Sequence, residues 1–321
     1  MASFNDLIVS TLRKWSKTLA DNVTNHSPLL AKLKELGGII AEDGGVALEE
    51  NIEAAENGTF KWYSGFETLD VTESDVLATA LYDWKQANAN VIMTGYEIRN
   101  NKGSQTKKYN LLAAKMKNAE HTMKNKVSAS AYSDGTGDGG KELTGLQALV
   151  SDSPATSSVG GIDAAEKAFW RNQAYSFATD ASVSAAPTPA QMLEAMEEMI
   201  LRTTRNSDRP NLILASGDFY RAYKSACTSI KRISTESVKF GDASFAALEF
   251  EGIPVIYDAN CPASHMYFLN CNYLKLRHHK DAYFTLDEER LPVNQDAKVF
   301  PMLFQGNLTC SNRNLQGVIT A

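Results

Sequence analysis

The strongest constraint in this 321-residue sequence is the way its charges are segregated. Residues 41 to 75 hold ten acids (Glu42, Asp43, Glu49, Glu50, Glu53, Glu56, Glu67, Asp70, Glu73 and Asp75) against Lys61 alone, a local net charge of -9. Residues 99 to 126 invert the sign: Arg99, Lys102, Lys107, Lys108, Lys115, Lys117, Lys124 and Lys126 face only Glu120, a net of +7. Arms of this length cannot bury their apolar residues against themselves, so they read as segments completed by another copy of the chain. The plainer alternative is that both are solvated faces of one monomer.

The acidic stretch has a turn signal at Asn57-Gly58 next to Phe60, Trp62, Tyr63 and Phe66. It reads as an extended hairpin whose exposed aromatics contact something else. In the basic stretch Tyr109, Leu112, Met116, Ala119, Met123 and Val127 recur every three or four residues. That spacing predicts one long helix from Ser104 to about Ala131, roughly 40 Å long. Near the N-terminus Phe4, Leu7, Ile8, Leu12 and Trp15 form the stripe of an amphipathic helix over 3 to 20, which needs a partner surface. Ser27-Pro28 opens a second short helix that Gly37 and Gly38 end.

After the glycine-rich loop DGTGDGG the pattern turns into mixed helix and strand. Helices are expected over 163 to 178, with Phe169 and Trp170 buried, and from the capping box Thr188-Pro-Ala-Gln191 to about Arg205. Strands are expected at 211 to 215, 253 to 257, 266 to 269 and 273 to 277, with two or three short ones between Val299 and Thr320. Ser216 is placed to cap a helix between the first two. Hydrophobic residues make up 43% and charged residues 22%, enough for a real core. The net charge of -6 argues against gripping nucleic-acid phosphates. No signal-peptide pattern or long apolar run points to secretion or a membrane.

Motifs for catalysis are missing: the sequence has no GxSxG, GxGxxG, Walker loop or HExxH. His278 and His279 are adjacent, so on a strand they face opposite ways and cannot share one metal. Asp134-Gly-Thr136-Gly-Asp138 resembles the start of a calcium loop, but Gly145 stands where the closing glutamate belongs. Cys227, Cys261, Cys271 and Cys310 are too scattered for a zinc ribbon and read as reduced, packed thiols. No cofactor is expected.

Several segments resemble the major capsid protein of tailed bacteriophages, the Hong Kong 97-type fold. They are Phe245, Leu248 and Phe250, then Gly252-Ile-Pro254-Val255, Asp258, Pro262, Tyr267-Phe-Leu269-Asn270 and Tyr273-Leu274. Near the end come Gly306-Asn-Leu308, Asn312-Arg313 and Gly317, and earlier Gly160-Gly-Ile-Asp163 with Phe169-Trp170-Arg171-Asn172. The resemblance implies an α+β chain with an N-terminal arm at 1-40, an E-loop hairpin at 41-75 and a P-domain at 76-144. The P-domain would carry the spine helix at about 103-132, followed by a mixed α/β A-domain at 145-285 and return strands of the P-domain at 286-321.

The resemblance also implies a non-enzymatic shell protein forming hexamers and pentamers around double-stranded DNA, without specific DNA binding and without a membrane. Scaffolding and portal proteins, and a decoration protein, would be its partners; the virion capsid, assembled in the host cytoplasm, would be its place. The E-loop residues Phe60, Lys61, Trp62, Tyr63 and Phe66 would meet the spine lysines Lys107, Lys108, Lys115, Lys117, Lys124 and Lys126 of a neighbour, while Phe4, Leu7, Ile8, Leu12 and Trp15 pack the N-arm. No cross-link is predicted, since Lys61 is the one E-loop lysine and Asn307, Asn312 and Asn314 are unassigned. The rival readings are an encapsulin-like compartment shell, a head-tail accessory protein and an enzyme with a cleft site.

Overall fold

The computed structural model describes residues 22-72, 76-100, 105-182, 187-229, 236-240 and 243-321. The N-arm stripe of Phe4, Leu7, Ile8, Leu12 and Trp15 lies outside them. Helix α1 (Pro28–Glu35) buries Leu29, Leu30 and Leu33, and Gly37 follows it at φ +69°, a conformation that costs glycine no steric strain.

Two sheets organise the rest. The first has four strands in the order β1 (Ile39–Glu42), β13 (Leu274–Leu286), β14 (Ala297–Cys310) and β4 (Lys85–Thr94). Helix α2 (Gly95–Asn100) follows β4, and α3 (Gln105–Ser130) then lies along β4. The spacing predicts the helix, but its apolar stripe packs into this chain's own core and not onto another copy: Leu112, Met116, Ala119, Met123 and Val127 are all buried, while the Tyr109 side chain lies outside those described. At 26 residues α3 spans roughly 39 Å.

The second sheet has seven strands in the order β7 (Gln173–Ser176), β15 (Gly317–Thr320), β12 (His265–Leu269), β8 (Leu212–Ala215), β11 (Ile253–Tyr257), β10 (Ala243–Phe250) and β9 (Glu236–Phe240). Its central strands are apolar on both faces, so side chains alternate between two cores. Leu212, Leu214, Tyr267, Leu269 and Val318 join the core shared with α3 and the first sheet. Ile213, Ala215, Met266, Phe268 and Ile319 join a second core, beneath α4 (Pro189–Thr203) and α5 (Gly217–Ser229). Gly317 permits this packing, because a Cβ there would stand 2.4 Å from the Met199 sulfur.

Four expectations are corrected. Residues 163 to 178 are not a helix. They hold the end of a two-strand turn, β5 (Ser158–Val159) with β6 (Ile162–Asp163), a single 3-10 turn at Ala168–Trp170, and strand β7. Tyr175 and Phe177 alternate with Ala174 between the two cores, a strand period. Trp170 is buried as expected, its indole N–H donating to the Val159 carbonyl at 2.9 Å, while Phe169 is half-buried. The acidic hairpin does not close at Asn57-Gly58. Strand β2 (Leu48–Glu53) pairs with β3 (Leu77–Tyr82), Asn51 opposite Thr79, and residues 54 to 76 connect them with no strand among those described. Ser216 caps α5 through its carbonyl, bonded by the Tyr220 N–H at 2.9 Å; its hydroxyl is buried and has no partner among the described residues.

The fourth correction concerns the expected cut at 285, which falls inside β13, a strand of the four-stranded sheet. β15, expected as a return strand of the P-domain, pairs in the seven-stranded sheet instead. Strands β13 and β14 are long single strands where shorter segments were expected.

Candidate assembly surfaces

The β2–β3 arm is chemically divided along its length. Its root is ionic. Glu50, 4% exposed, sits 3.1 Å from Lys275 and 3.4 Å from Arg277 of β13, and accepts the Thr309 hydroxyl of β14 at 2.9 Å. Glu42 also reaches Arg277 at 3.2 Å, and Asp43 reaches Lys280 at 2.5 Å. β3 is held from the other side, where the Leu81 N–H donates to the Gly160 carbonyl at 2.9 Å. Gly160 stands at φ +64°, and a Cβ on it would come within 2.8 Å of the Ala80 Cβ, so both conformation and space demand glycine there.

The tip is apolar. Phe60, Trp62, Tyr63 and Phe66 are 63 to 110% exposed, and Leu69 and Val71 are exposed with them. Phe60 and Trp62 touch only edge to face, at 5.6 Å between ring centres. Six large apolar side chains exposed within twelve residues of one segment are more apolar surface than a monomer normally leaves in water. Lys61 turns back to donate to the Thr68 carbonyl, so the one lysine of the tip serves the shape of the loop. Between 57 and 72 the only other charges are Glu67 and Asp70, and Asp70 accepts from the N–H and hydroxyl of Thr72, which hold its carboxyl below the usual range. Three of the ten acids counted along the arm, Glu42, Asp43 and Glu50, are therefore matched at its root, and the 57-72 tip carries a net charge of only -1.

The spine lysines divide as well. Lys115 bridges to Glu97 at 2.7 Å and to the Ile92 carbonyl at 2.8 Å, and this contact holds the Glu97 carboxyl below its usual range. Lys124 pairs with Glu120 at 3.4 Å one turn away. Lys117 and Lys126 are exposed, with no acidic partner among the described residues. Lys107 and Lys108 lie in the first turn of α3. Beside α3 a groove of about 660 Å³ opens against β4, with Lys85, Lys126 and Lys141 around a floor that includes Ala89, Met123 and Phe304.

Three buried polar ties that the sequence does not assign hold the two sheets and the helix together. Arg313, fully buried, donates to the Leu149 carbonyl at 2.7 Å, to Ser157 at 3.0 Å and to Asn172 at 3.3 Å, with its guanidinium 5.7 Å from the centre of the Trp170 ring. Tyr132, just past α3, donates to Asp258 at 2.7 Å. Asn307 donates to the Asp83 carbonyl and Thr144 and accepts the Thr144 N–H, so its amide is enclosed; Asn312 and Asn314 are half-buried. The one signal for the Glu50 cluster is the alternation Lys275, Arg277 along a strand, which puts two bases on one face.

Among the described residues no three His, Cys, Asp or Glu side chains converge as metal ligands, and no helix is long and apolar enough to cross a membrane. All four cysteines are free thiols, and burial pushes Cys271 and Cys310 up to about 12, far from the reactive thiolate. His278 is buried against Tyr283, ring centres 3.9 Å apart.

No family model and no curated protein matches the sequence. Solved structures do match. The capsid asymmetric unit of cyanophage A-1(L) aligns with a TM-score of 0.61 at 18% identity, over 90% of this chain and 91% of that one. The capsid of a native GTA particle aligns at 0.57 and 12% identity, over 90% and 89%. The structure of Mycobacterium phage Bobi aligns at 0.54 and 10% identity, over 89% of each chain. The chain has the α+β, Hong Kong 97-type fold of phage capsid proteins, as the resemblance implies.

Proposed function

We propose that this chain is the major capsid protein of a tailed bacteriophage, a tile that assembles into hexamers and pentamers of an icosahedral shell around double-stranded DNA. The observation that carries the reading is the projecting loop with six exposed apolar side chains and a root fixed by ion pairs. A segment held firmly at its base and apolar at its tip is built to be covered by a neighbour. Phe60, Trp62, Tyr63 and Phe66 supply that contact, on or near the α3 face of another copy bearing Lys117 and Lys126. Burial of the aromatics dominates, since each exposed ion pair contributes only about 0 to 1 kcal/mol.

In this reading residues 1-40 are the N-arm, the 41-75 segment together with its partner strand β3 is the E-loop, and α3 is the spine of the P-domain. The seven-stranded sheet with α4 and α5 forms the A-domain. A shell role asks for no catalysis. Scaffolding and portal proteins serve assembly, a decoration protein covers the outside, and assembly takes place in the host cytoplasm before DNA enters the virion. Electron microscopy of the purified full chain tests the proposal: closed shells or capsomer rings support it, and a monodisperse monomer at high concentration overturns it. Nucleic acid in particles isolated from their natural source marks a virion, whereas an enzyme cargo marks a compartment shell.

A further inference from the structure

The turn between β11 and β12, residues 258 to 264, carries a feature separate from the assembly surfaces. Ser264 stands at φ +56°, where a side-chain-bearing residue is held only by its surroundings. His265 closes the turn, with Nδ1 2.7 Å from the Ala263 carbonyl oxygen and Nε2 3.0 Å from the Asp152 carboxylate. Both partners accept hydrogen bonds and cannot donate them. Only the doubly protonated ring can satisfy both.

We propose that the His265 imidazolium is a proton-gated clasp, holding the 258-264 turn closed against Asp152 and releasing it when the ring becomes neutral. A neutral ring keeps one proton, and the carboxylate is the stronger acceptor. The Nδ1 bond to Ala263 is therefore the one lost, and two acceptors then face each other across the turn. Asp152 does not follow, because the neighbouring Ser151 is fixed through its N–H and carbonyl to Asn172 at 3.1 and 2.8 Å. The moving part is the turn.

The surroundings of the ring are simple. From its own strand Tyr267 stacks at 6.0 Å between ring centres; from the turn the Cys261 thiol reaches the His265 carbonyl at 3.6 Å. β15 places Thr320 opposite, β8 is followed by the Ser216 N–H on the His265 carbonyl, and Asp152 is the charged group in contact with the imidazole. Burial opposes the charge, but the Asp152 and Ala263 bonds outweigh it and raise the pKa above 6.5. With a raised folded-state value, the clasp is fully formed below about pH 6.5 and is lost as pH climbs through the higher value. The same turn carries Asp258, the acceptor of the Tyr132 tie, so the clasp sits where the end of the long helix meets the sheet.

Hydrogen exchange of residues 258 to 265, followed in the full chain from pH 5.5 to 9 and corrected for intrinsic rates, tests this. One charge-assisted bond corresponds to roughly tenfold to a hundredfold in the opening equilibrium, so protection should fall by that factor through a midpoint above 6.5. Asp152→Asn should move the midpoint down, and His265→Gln should abolish the step. Protection that does not change with pH in the natural chain, or a midpoint that Asp152→Asn leaves in place, overturns the proposal even if His265→Gln fails to fold. None of these readings depends on whether shells form.

Discussion

Replacing Phe60, Trp62 and Phe66 together by alanine separates the two things these residues could do. In the isolated chain they are 74%, 89% and 110% exposed, so removing them should leave the stability of the unassembled subunit within about 0.5 kcal/mol. In a shell the same three side chains would leave water, at roughly 1.5 to 3 kcal/mol each, or about 5 to 9 kcal/mol per loop. With each 1.4 kcal/mol a factor of ten, the subunit concentration needed for assembly should rise at least about a thousandfold. Urea melts of unassembled subunits and sedimentation of assembly reactions over a range of concentrations read the two effects separately. A variant that assembles at the natural concentration would refute the tile argument, and so would one that loses more than about 2 kcal/mol as a free subunit, because the aromatics would then be packing on their own chain.

Four further outcomes follow from the same contacts. Arg313→Met should cost at least about 3 kcal/mol in a urea melt, since it leaves the Leu149 carbonyl, Ser157 and Asn172 without their buried donor. Glu50→Gln should cost about 1.5 to 3 kcal/mol by removing the carboxylate that Lys275 faces, Arg277 keeping Glu42, and should raise protease cleavage within residues 48-53. Reversing Lys107, Lys108, Lys117 and Lys126 to glutamate should weaken assembly at low salt and approach the natural chain at high salt, as light scattering would show; normal low-salt assembly would reject a role for the basic face. His278 is buried, which pushes its pKa below 6.5. Stability from its neutral form is therefore complete above about pH 6.5 and falls as the medium is acidified below it, a slope that His278→Gln should flatten in pH-dependent melts.

How much of this could be read from the residues depends on the range of the interaction. The long helix was legible because Leu112, Met116, Ala119, Met123 and Val127 repeat within a single element. The capping box was equally local: Thr188 Oγ1 accepts the Gln191 N–H, and the Gln191 side chain answers on the Thr188 N–H. The 163 to 178 segment failed because Ala174, Tyr175 and Phe177 are sorted by two cores that lie on either side of β7, and no helical or strand period is long enough there to decide the matter alone. The partner of β2 was missed for a similar reason. Asn57-Gly58 is a good turn signal, but β2 finds its partner only after a 23-residue connection, at Leu77, where Ala80 fits against Gly160. Glu50 and Lys275 are 225 residues apart, so their pairing has no local trace at all.

The charge segregation itself meant something narrower than its arithmetic suggested. Ten acids on one segment and eight bases on another invite a picture of two opposite fields meeting across an interface. The contacts place Glu42, Asp43 and Glu50 against bases of their own chain at the root of the arm, and Lys115 and Lys124 against acids of their own chain on the helix. What remains outward is an apolar tip with Glu67 and Asp70, the exposed Glu49 and Glu53 of β2, and a small set of lysines. The buried Glu50 carboxylate at the root fixes direction, since an unpaired charge there would be costly. Exposed lysines guide approach and are screened within about 8 to 10 Å of salt solution. In the proposed shell, cohesion would come from the non-directional burial of aromatic surface, which leaves the ionic root to decide where that surface is presented. A tile built this way would keep its own fold and its assembly in separate interactions, so that one could be weakened without unfolding the other.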